Sequence, residues 1–240
     1  MSTKFTELVA IDAAGGDVVF DGVDFTLNAY IEVRNANSLT IRNCRFYKMN
    51  LPGAKNYLFK VIGDIPCKLV VEQCFFGDNP KNGSNTLYNI LELNAQLKTG
   101  SSFSKNYFTA DSCTHNHINV YGASETAKIF IDDNVFEQNA GIRIGVKGEP
   151  ACTIYLRRNE NKAVAEGAIE NLILLQPYGN KTTSFANMTI VCDGNKTVGE
   201  DFPIMWYCGK NDLQLTDELM PAIVDNNGTN LRDQLKQYPM

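Results

Sequence analysis

The sequence contains few charged side chains and few of the residues that usually bind metals or nucleic acids. Charged residues make up 20% of the 240 residues, and the chain has 1 Trp and 2 His. Its 22 basic and 27 acidic side chains give a formal net charge of −5. A mildly acidic chain lacks the clustered Lys and Arg that nonspecific nucleic-acid binding needs. No apolar run approaches the roughly 18 residues that span a bilayer, so we expect neither a nucleic-acid nor a membrane partner.

Motifs for common cofactors and for secretion are also missing. There is no GxxxxGK[ST] phosphate loop, no GxGxxG between a strand and a helix, and no GxSxG elbow, so no cofactor is expected. The 7 cysteines include no CxxC pair. The opening stretch, MSTKFTELVAIDAAGG, lacks the basic and then apolar profile of a signal peptide. An odd number of cysteines without a secretory signal predicts reduced thiols in a protein made in a cytoplasm.

What the sequence does have is an internal repeat. Six-residue windows align so that the first position is apolar, the third is usually polar or Gly, and the last is usually Phe. The last positions of successive windows are separated by 21 to 32 residues (46 − 25 = 21 and 108 − 76 = 32). The aligned windows are 20–25, 41–46, 71–76, 103–108, 131–136, 156–161 and 185–190.

A second set of short apolar strands lies between these windows. Each member alternates apolar and polar residues and is flanked by Asn, Gly or Asp, which favour turns. Nowhere between residues 15 and 210 is there a convincing long amphipathic helix, so the repeat is strand, turn, strand and loop. The predicted strands of this set are 30–33, 57–61, 89–93, 117–121, 141–146, 171–175 and 204–207.

Short strands that repeat without crossover helices can stack as the coils of a parallel β-solenoid. We therefore predict an all-β fold, a single-stranded right-handed parallel β-helix of about seven coils. Stacking in register predicts a column of the terminal Phe rings and Cys44 above Cys74. It also predicts a ladder of side-chain amides that includes Asn43, Gln73 and the later asparagines. A β-sandwich is the alternative fold, but a sandwich needs no recurring column of Phe and Asn.

The two ends of the chain are expected to cover the open ends of the solenoid, which would otherwise invite edge-to-edge pairing. We predict an N-terminal cap over residues 1–14, the β-helix over 15–212, and a short, partly helical C-terminal cap or docking tail over 213–240. Residues 216–218 have the composition of a helix start, and Pro221 is expected to break that helix.

The windows IRNCRF at 41–46 and IDDNVF at 131–136 resemble those of the right-handed parallel β-helix superfamily. That superfamily includes pectate lyases, polygalacturonases, phage tailspikes and other viral surface proteins. The resemblance extends over residues 15 to 210 and implies the fold rather than one activity, because the fold hosts unrelated functions. It further implies a homo-oligomer, with a trimer favoured.

The best candidate for catalysis is the acidic pair Asp132 and Asp133. Polygalacturonases, which the windows resemble, use paired carboxylates on a β-helix strand together with basic residues, and Arg143 and Lys147 follow in GIRIGVKG. Two carboxylates about 6.5–9.5 Å apart would suit an inverting hydrolase. However, adjacent strand residues point to opposite faces, so alternation predicts that only one of the pair faces outward. The alternative interpretation is a polar turn between stacked strands.

A metal site is a weaker alternative. Cys113, His115 and His117 are spaced at i, i+2 and i+4, which would place three potential ligands on one side of an extended segment. No fourth ligand is evident. A calcium-dependent lyase would need clustered aspartates, and the aspartates near successive turns are expected only to form those turns. They are Asp64, Asp78 and Asp111.

Two further features could contribute to a surface site. Arg157 and Arg158 form an isolated basic pair on a predicted strand, and we expect them on a solvated face. Most aromatic residues occupy apolar repeat positions and are therefore expected in the core. Tyr47, Tyr178 and Trp206 are the exceptions that could stack on a sugar.

Three classes of function follow from these features. The first is a noncatalytic structural or adhesive virion protein of a bacteriophage: a capsid decoration, head fibre or tail-associated module made in the host cytoplasm. Its partners would be capsid or tail proteins of the same virion. The second is a polysaccharide lyase or glycoside hydrolase that acts in a groove along the β-helix, with Asp132, Asp133 and Arg143 as its site. The third is a module that binds a bacterial surface glycan.

Overall fold

The computed structural model describes residues 4–5, 9–25, 31–47, 57–77, 89–94, 97–109, 116–120, 127–137, 142–146, 151–162, 173–177, 185–196, 205–207, 217–218 and 220–226. In these residues the secondary structure consists of 23 β-strands, and there is no helix. A helix long and apolar enough to span a bilayer is therefore absent from these segments. The prediction of an all-β fold is confirmed for the described part of the chain.

The strands form three parallel sheets, named I, II and III in the order in which the chain enters them. Sheet I consists of β1 (Lys4–Phe5), β4 (Asp24–Phe25), β7 (Arg45–Tyr47), β10 (Phe75–Gly77), β13 (Tyr107–Phe108), β16 (Val135–Phe136) and β19 (Glu160–Asn161). Sheet II consists of β2 (Val9–Asp12), β5 (Ile31–Arg34), β8 (Tyr57–Ile62), β11 (Asn89–Asn94), β14 (Asn116–Val120), β17 (Ile142–Val146), β20 (Ile173–Pro177) and β22 (Met205–Tyr207). Sheet III consists of β3 (Asp17–Asp21), β6 (Ser38–Arg42), β9 (Lys68–Glu72), β12 (Ser101–Ser104), β15 (Lys128–Asp132), β18 (Thr153–Arg157), β21 (Thr189–Asp193) and β23 (Ala222–Asp225).

The chain visits the sheets in the order I, II, III and repeats that order from β1 to β21. From β4 to β21, each strand pairs in parallel with the strand three places earlier, as β6 does with β3 and β9 does with β6. Strands β22 and β23 pair with β20 and β21. We call three consecutive strands, one from each sheet, a triplet. Because the partners are consecutive members of one sheet, equivalent residues of successive triplets lie side by side.

The six-residue windows mark the corner between sheet III and sheet I. In the second window, Ile41 belongs to β6, Phe46 belongs to β7, and Asn43 between them has φ of 53°. This left-handed conformation turns the chain sharply, and it is open to Gly at little cost and to Asn or Asp more readily than to most residues. The other residues at this third position also have positive φ: Gly22, Gln73, Lys105, Asp133, Arg158 and Gly194.

The last position of the windows forms the predicted column of rings. Phe25, Phe46, Phe76, Phe108 and Phe136 stack with centroid separations of 4.5, 4.7, 4.6 and 4.8 Å. Their planes are inclined to one another by at most 11°, and all five side chains are buried. The separation follows from the spacing of about 4.8 Å between paired strands. The prediction that these rings lie one above another is confirmed.

The seventh window, 185–190, was aligned incorrectly from the sequence. In the structure Leu156 pairs with Cys192, whereas Ile190 pairs with Ile154. The equivalent window therefore begins at Cys192, and its turn residue is Gly194, with φ of 61°. Hydrogen bonding between β18 and β21 sets this register. The true window starts seven residues after the predicted one (192 − 185 = 7), and it lacks the usual terminal Phe because its last residue is Thr197.

The predicted amide ladder is confirmed for the later asparagines but not for Asn43 and Gln73. Asn106, Asn134, Asn159 and Asn195 form it, each 6% exposed or less. They occupy the fourth window position, which in the earlier triplets holds Val23, Cys44 and Cys74. The predicted ladder members Asn43 and Gln73 instead occupy the exposed turn position. Because the third residue adopts the left-handed conformation at the corner, the fourth residue, and not the third, lies inside.

The described residues near the two ends also belong to the sheets. Strands β1 and β2 lie within residues 1–14, and they pair with β4 and β5. At the other end, residues 217–218 form a turn and β23 pairs with β21. The remaining residues of 213–240, on which most of the predicted helical character rests, lie outside the described part.

Candidate functional site

The outer face of sheet III carries the predicted acidic pair and is organised in rows. Along each strand, side chains alternate between the interior and the outer face, as in β6, where Leu39 and Ile41 are buried. We define the outer row as the middle outward residue of each strand: Val19, Thr40, Val70, Ser102, Phe130, Tyr155, Val191 and Val224. We define the charged row as Asp21, Arg42, Glu72, Ser104, Asp132, Arg157 and Asp193.

A third row follows at the corner. We define the corner row as the residues at the third window position, all of which have positive φ: Gly22, Asn43, Gln73, Lys105, Asp133, Arg158 and Gly194. The outer row is mainly β-branched or aromatic, and its two end members are the most exposed, with Val19 at 59% and Val224 at 46%. The face is therefore an apolar strip with the charged row on one side and, on the other, the first strand positions, which include the exposed Asp17, Lys68 and Lys128.

Asp132 forms a two-pronged ion pair with Arg157 of the neighbouring strand. Arg157 Nε donates to Asp132 Oδ1 at 2.8 Å, and Nη2 donates to Oδ2 at 2.5 Å. The side chain of Asp132 is 13% exposed and that of Arg157 is 34% exposed. The hydrogen bond to Asp132 raises the pKa of Arg157. Both carboxylate oxygens are thus engaged in fixed, charge-assisted hydrogen bonds.

Asp133 forms an equivalent pair with Arg158. Arg158 Nε and Nη2 donate to the two carboxylate oxygens of Asp133 at 2.7 and 2.8 Å. The hydrogen bond from Arg158, followed by its positive charge, lowers the pKa of Asp133 below its usual value. Arg157 and Arg158 lie on a part-exposed face, as expected. The expectation that they are isolated is wrong, because both guanidinium groups are paired with carboxylates.

The expectation that only one of Asp132 and Asp133 faces outward is also wrong. Strand alternation requires extended backbone at both residues, but Asp133 has φ of 56° and ends the strand. The left-handed conformation turns its side chain to the same surface as that of Asp132. The two carboxylates therefore pair with two consecutive arginines, one strand away.

Two aromatic side chains that the sequence analysis did not single out lie next to this pair. The rings of Phe130 and Tyr155 stack with centroids 5.0 Å apart and planes inclined by 13°. The guanidinium carbon of Arg157 lies 5.4 Å from the Phe130 centroid and 5.8 Å from that of Tyr155. These distances suit cation–π attraction. Together the three side chains form a part-exposed platform beside the carboxylate of Asp132.

The other predicted catalytic residue is in a different sheet. Arg143 belongs to β17 of sheet II, where it pairs with Asn119, whereas Asp132 belongs to sheet III. It shares a register position with Glu32 and Lys60. Lys147 lies outside the described residues.

The predicted metal ligands fall mostly where the structure gives no description. Cys113 and His115 lie outside the described residues, and His117 is described only as a backbone position in β14. Asp64 occupies an exposed turn, while Asp78 and Asp111 are not described. Among the side chains that are described, no three His, Cys, Asp or Glu residues come together.

A second aromatic cluster lies on the outer face of sheet I and includes Tyr47. The guanidinium group of Arg45 lies 4.9 Å from the Tyr47 ring and 5.9 Å from the Phe75 ring. Phe75 stacks on Tyr107 with centroids 6.2 Å apart. Tyr107 donates a hydrogen bond to Glu137, and this bond, followed by burial, raises the pKa of Tyr107 to about 12. Tyr178 is not described, and Trp206 is described only as a backbone position in β22.

The described cysteines are buried free thiols. They are Cys44, Cys67, Cys74, Cys152 and Cys192. Burial raises the pKa of Cys67 and of Cys152 to about 11 each, and that of Cys192 to about 12. Hydrogen bonding to Cys44, followed by burial, raises the pKa of Cys74. A thiol with a raised pKa is protonated at neutral pH and is a poor nucleophile.

Comparison with known proteins identifies no relative of this chain. No protein-family model matches it, and neither does any curated protein or any solved structure.

Proposed function

We propose that the chain is a single-stranded right-handed parallel β-helix of about seven coils, and that it is a noncatalytic structural or adhesive protein. The observation that carries this proposal is the continuity of buried rows through successive triplets. Stacked Phe rings connect five of them, and four Asn amides continue the adjacent row. Three sheets visited in constant order by parallel strands are what a β-helix requires.

The ring stacking and the amide hydrogen bonds in these rows favour a stiff structural protein. Each buried ring contacts a ring above or below, and stacked pairs contribute about 0.5–1.5 kcal/mol beyond their buried area. Each linked amide satisfies the polar groups of its neighbour, and satisfied polar networks rigidify a core. The eight strands of sheet III, at about 4.8 Å each, extend over roughly 34 Å. A rod of that kind presents flat, regularly spaced side chains to a partner.

The chemistry of the acidic pair supports a noncatalytic role. A general acid must hold a proton at the pH of the reaction, but the pairing with Arg158 keeps Asp133 ionised. Asp132 has both oxygens bound by Arg157. A polysaccharide lyase or glycoside hydrolase that uses Asp132, Asp133 and Arg143 would also need groups from two sheets to converge.

We propose a bacteriophage virion as the location, with capsid or tail proteins of the same particle as partners. The support is the resemblance of windows such as 41–46 to those of β-helix proteins that include phage tailspikes. The same resemblance favours a trimer. A phage can assemble such a protein in the host cytoplasm without secretion.

The test is the composition of purified virions. Mass spectrometry of particles from a phage that encodes this chain is expected to detect it in a fixed ratio to the major capsid protein. The purified chain is expected to bind particles from which its gene has been deleted. Absence from virions, together with no binding to capsid or tail components, would overturn the virion role while leaving the β-helix proposal intact.

A glycan-binding module is the second candidate, and the platform of Phe130 and Tyr155 favours it. Part-exposed aromatic rings beside a carboxylate and a guanidinium group can contact both the apolar face and the hydroxyls of a sugar. Glycan-array binding by the native chain, lost in Tyr155→Ala and retained in Phe75→Ala on sheet I, would support this candidate. Turnover of an acidic polysaccharide that Asp133→Asn abolishes would support the enzyme instead.

A further inference from the structure

The outer face of sheet III has the dimensions of a protein–protein interface. Eight strands extend over about 34 Å, and the six residues from the first strand residue to the corner row extend over about 20 Å. That is roughly 700 Å² per copy, close to the ~800 Å² per partner of a standard interface. The apolar outer row runs through the middle of this area, and the charged and corner rows form one border.

Three acidic side chains on this face are already paired with arginines within one copy. Arg42 lies 2.9 Å from Asp21, and Asp132 and Asp133 are bound by Arg157 and Arg158. Burying a lone charge carries a large desolvation cost, whereas a paired and hydrogen-bonded charge carries a smaller one. The face can therefore be covered without leaving these charges uncompensated.

The order of charges along the border is complementary to itself in one orientation. Consider a second copy laid face to face, with its twofold axis parallel to the strands and midway between β12 and β15. Strand β6 of one copy then faces β21 of the other, and β9 faces β18. This arrangement places Arg42 opposite the second copy's Asp193, and Glu72 opposite its Arg157. In the corner row it places Lys105 opposite Asp133.

The same orientation also places the outer row of one copy against the outer row of the other. Val70 lies opposite Tyr155 of the second copy, Ser102 lies opposite Phe130, and the exposed Val19 lies opposite Val224. A parallel orientation, with the axis along the stack, would instead place the charged row of one copy on the first strand positions of the other. It would bring Glu72 onto Lys68 and Asp132 onto Lys128, which are opposite-charge contacts. It would also bring Asp21 onto Asp17, a like-charge contact that the antiparallel orientation avoids.

We propose that two copies of this chain associate through the outer faces of sheet III as an antiparallel, twofold-symmetric dimer. Packed sheets of this type lie about 10 Å apart with strands within about 30° of alignment. Phe130 and Tyr155 are then the central anchors, which matches the enrichment of aromatic residues in interface hot spots. The inference stands on the face itself and not on the virion role, and it replaces the trimer that the resemblance favours. A glycan and the second copy would compete for the same platform.

A charge-swap experiment on the full chain tests this dimer. Arg42 and Asp193 lie five strand spacings apart in one copy, about 24 Å, so they cannot contact each other within it. In the dimer the contact between Arg42 of one copy and Asp193 of the other occurs twice, because the axis is twofold. We expect the native chain to sediment as a dimer, and Arg42→Glu or Asp193→Arg alone to weaken association about tenfold. The double variant Arg42→Glu/Asp193→Arg is expected to restore it.

An apolar substitution tests the same interface without relying on ion pairs. Val70→Asp, which would place a carboxylate against the ring of Tyr155 of the second copy, is expected to give monomers. Val135→Asp on sheet I is the matched control and is expected to leave the dimer intact. Thermal melting of every variant checks that the fold is retained. A native chain that sediments as a monomer or trimer, or a double variant that associates as weakly as the single ones, would overturn the proposal.

Discussion

The amide ladder offers the most direct measurement of how neighbouring triplets hold together, and Asn134 is its best-described member. Asn134 Oδ1 accepts from the backbone nitrogen of Asn106 at 3.1 Å and from its Nδ2 at 2.9 Å. Asn134 Nδ2 donates to the carbonyl of Phe103 at 3.0 Å and to Asn159 Oδ1 at 2.9 Å. The side chain is 0% exposed, so water does not replace these partners.

Replacing Asn134 by Ala removes four hydrogen bonds and leaves buried donors of Asn106 without that acceptor. At about 1 kcal/mol for each bond, the free energy of unfolding is expected to fall by about 4 kcal/mol. For a chain of this size that corresponds to a Tm lower by roughly 8–16 °C. The control is Asn43→Ala, which removes one exposed hydrogen bond to Asp21 and places Ala at a φ of 53°. It is expected to cost about 1 kcal/mol for the bond and about 1 kcal/mol for the left-handed backbone.

The isosteric change Asn134→Asp separates hydrogen bonding from packing. A carboxylate would direct an acceptor oxygen at the carbonyl of Phe103 and at Asn159 Oδ1, which are both acceptors. Burial and this contact would raise the folded-state pKa of the new acid above its unfolded value near 3.9. The folded state then binds more protons than the unfolded state, so the free energy of unfolding falls as pH rises above about 4.

Urea unfolding followed by far-ultraviolet circular dichroism measures all three variants, with the m-value checked for constancy. The reasoning would be refuted if Asn134→Ala cost no more than Asn43→Ala. It would also fail if Asn134→Asp were as stable at pH 7 as at pH 4 relative to the native chain.

Three further predictions concern the Phe column, a close backbone contact and the corner ion pair. Phe108→Ala, which removes a ring between two stacked neighbours, is expected to cost about 3–5 kcal/mol in urea unfolding. Phe108→Leu, which keeps apolar volume but loses the ring, should cost less than that but still about 1 kcal/mol or more; a Phe108→Leu variant as stable as the native chain would argue against ring stacking. Gly77→Ala would place a Cβ 2.0 Å from Thr109 Oγ1, so we expect a lower Tm that Thr109→Gly partly restores; an unchanged Tm would contradict this contact. The lowered pKa of Asp133 means that its pairing with Arg158 contributes stability above about pH 4, lost as pH falls. Asp133→Asn should therefore flatten the acid limb of the stability profile, and an unchanged limb would show that this pair contributes nothing measurable.

The repeat could be recognised from the sequence because its strongest positions are chemically distinctive. Phe46, Phe76 and Phe108 recur at one window position, which holds Phe in five of the seven predicted windows. An apolar residue followed by a turn residue also marked the end of each sheet III strand. These patterns involve only neighbouring residues, and the same pattern positions are buried in each triplet.

The register of weaker windows could not be read in this way. Residues 185–190 begin and end with an apolar residue, whereas the true window begins at Cys192, seven residues later (192 − 185 = 7), and ends with Thr197. Asn43 was assigned to the ladder for a related reason. Asn43 and Asn106 are both Asn near a corner, and only the left-handed backbone at the third position determines which of the two positions lies inside.

The outer face of sheet III was the least predictable feature. Arg157 and Asp132 are 25 residues apart, and no sequence pattern around either residue indicates that the two are partners. Their pairing depends on the number of residues in the intervening loop and strands, which sets the register between β15 and β18. The platform of Phe130 and Tyr155 arises from the same register.

The amino-acid sequence alone therefore determined that this chain is a repeating all-β protein with aligned Phe residues, because apolar spacing and turn residues act over a few neighbouring positions. The tertiary structure decided which asparagines lie inside, which carboxylates are bound by arginine, and which side chains form the outer row. Those outcomes depend on hydrogen-bond register between strands about 20 to 40 residues apart, and such register is set by the whole ladder of strands.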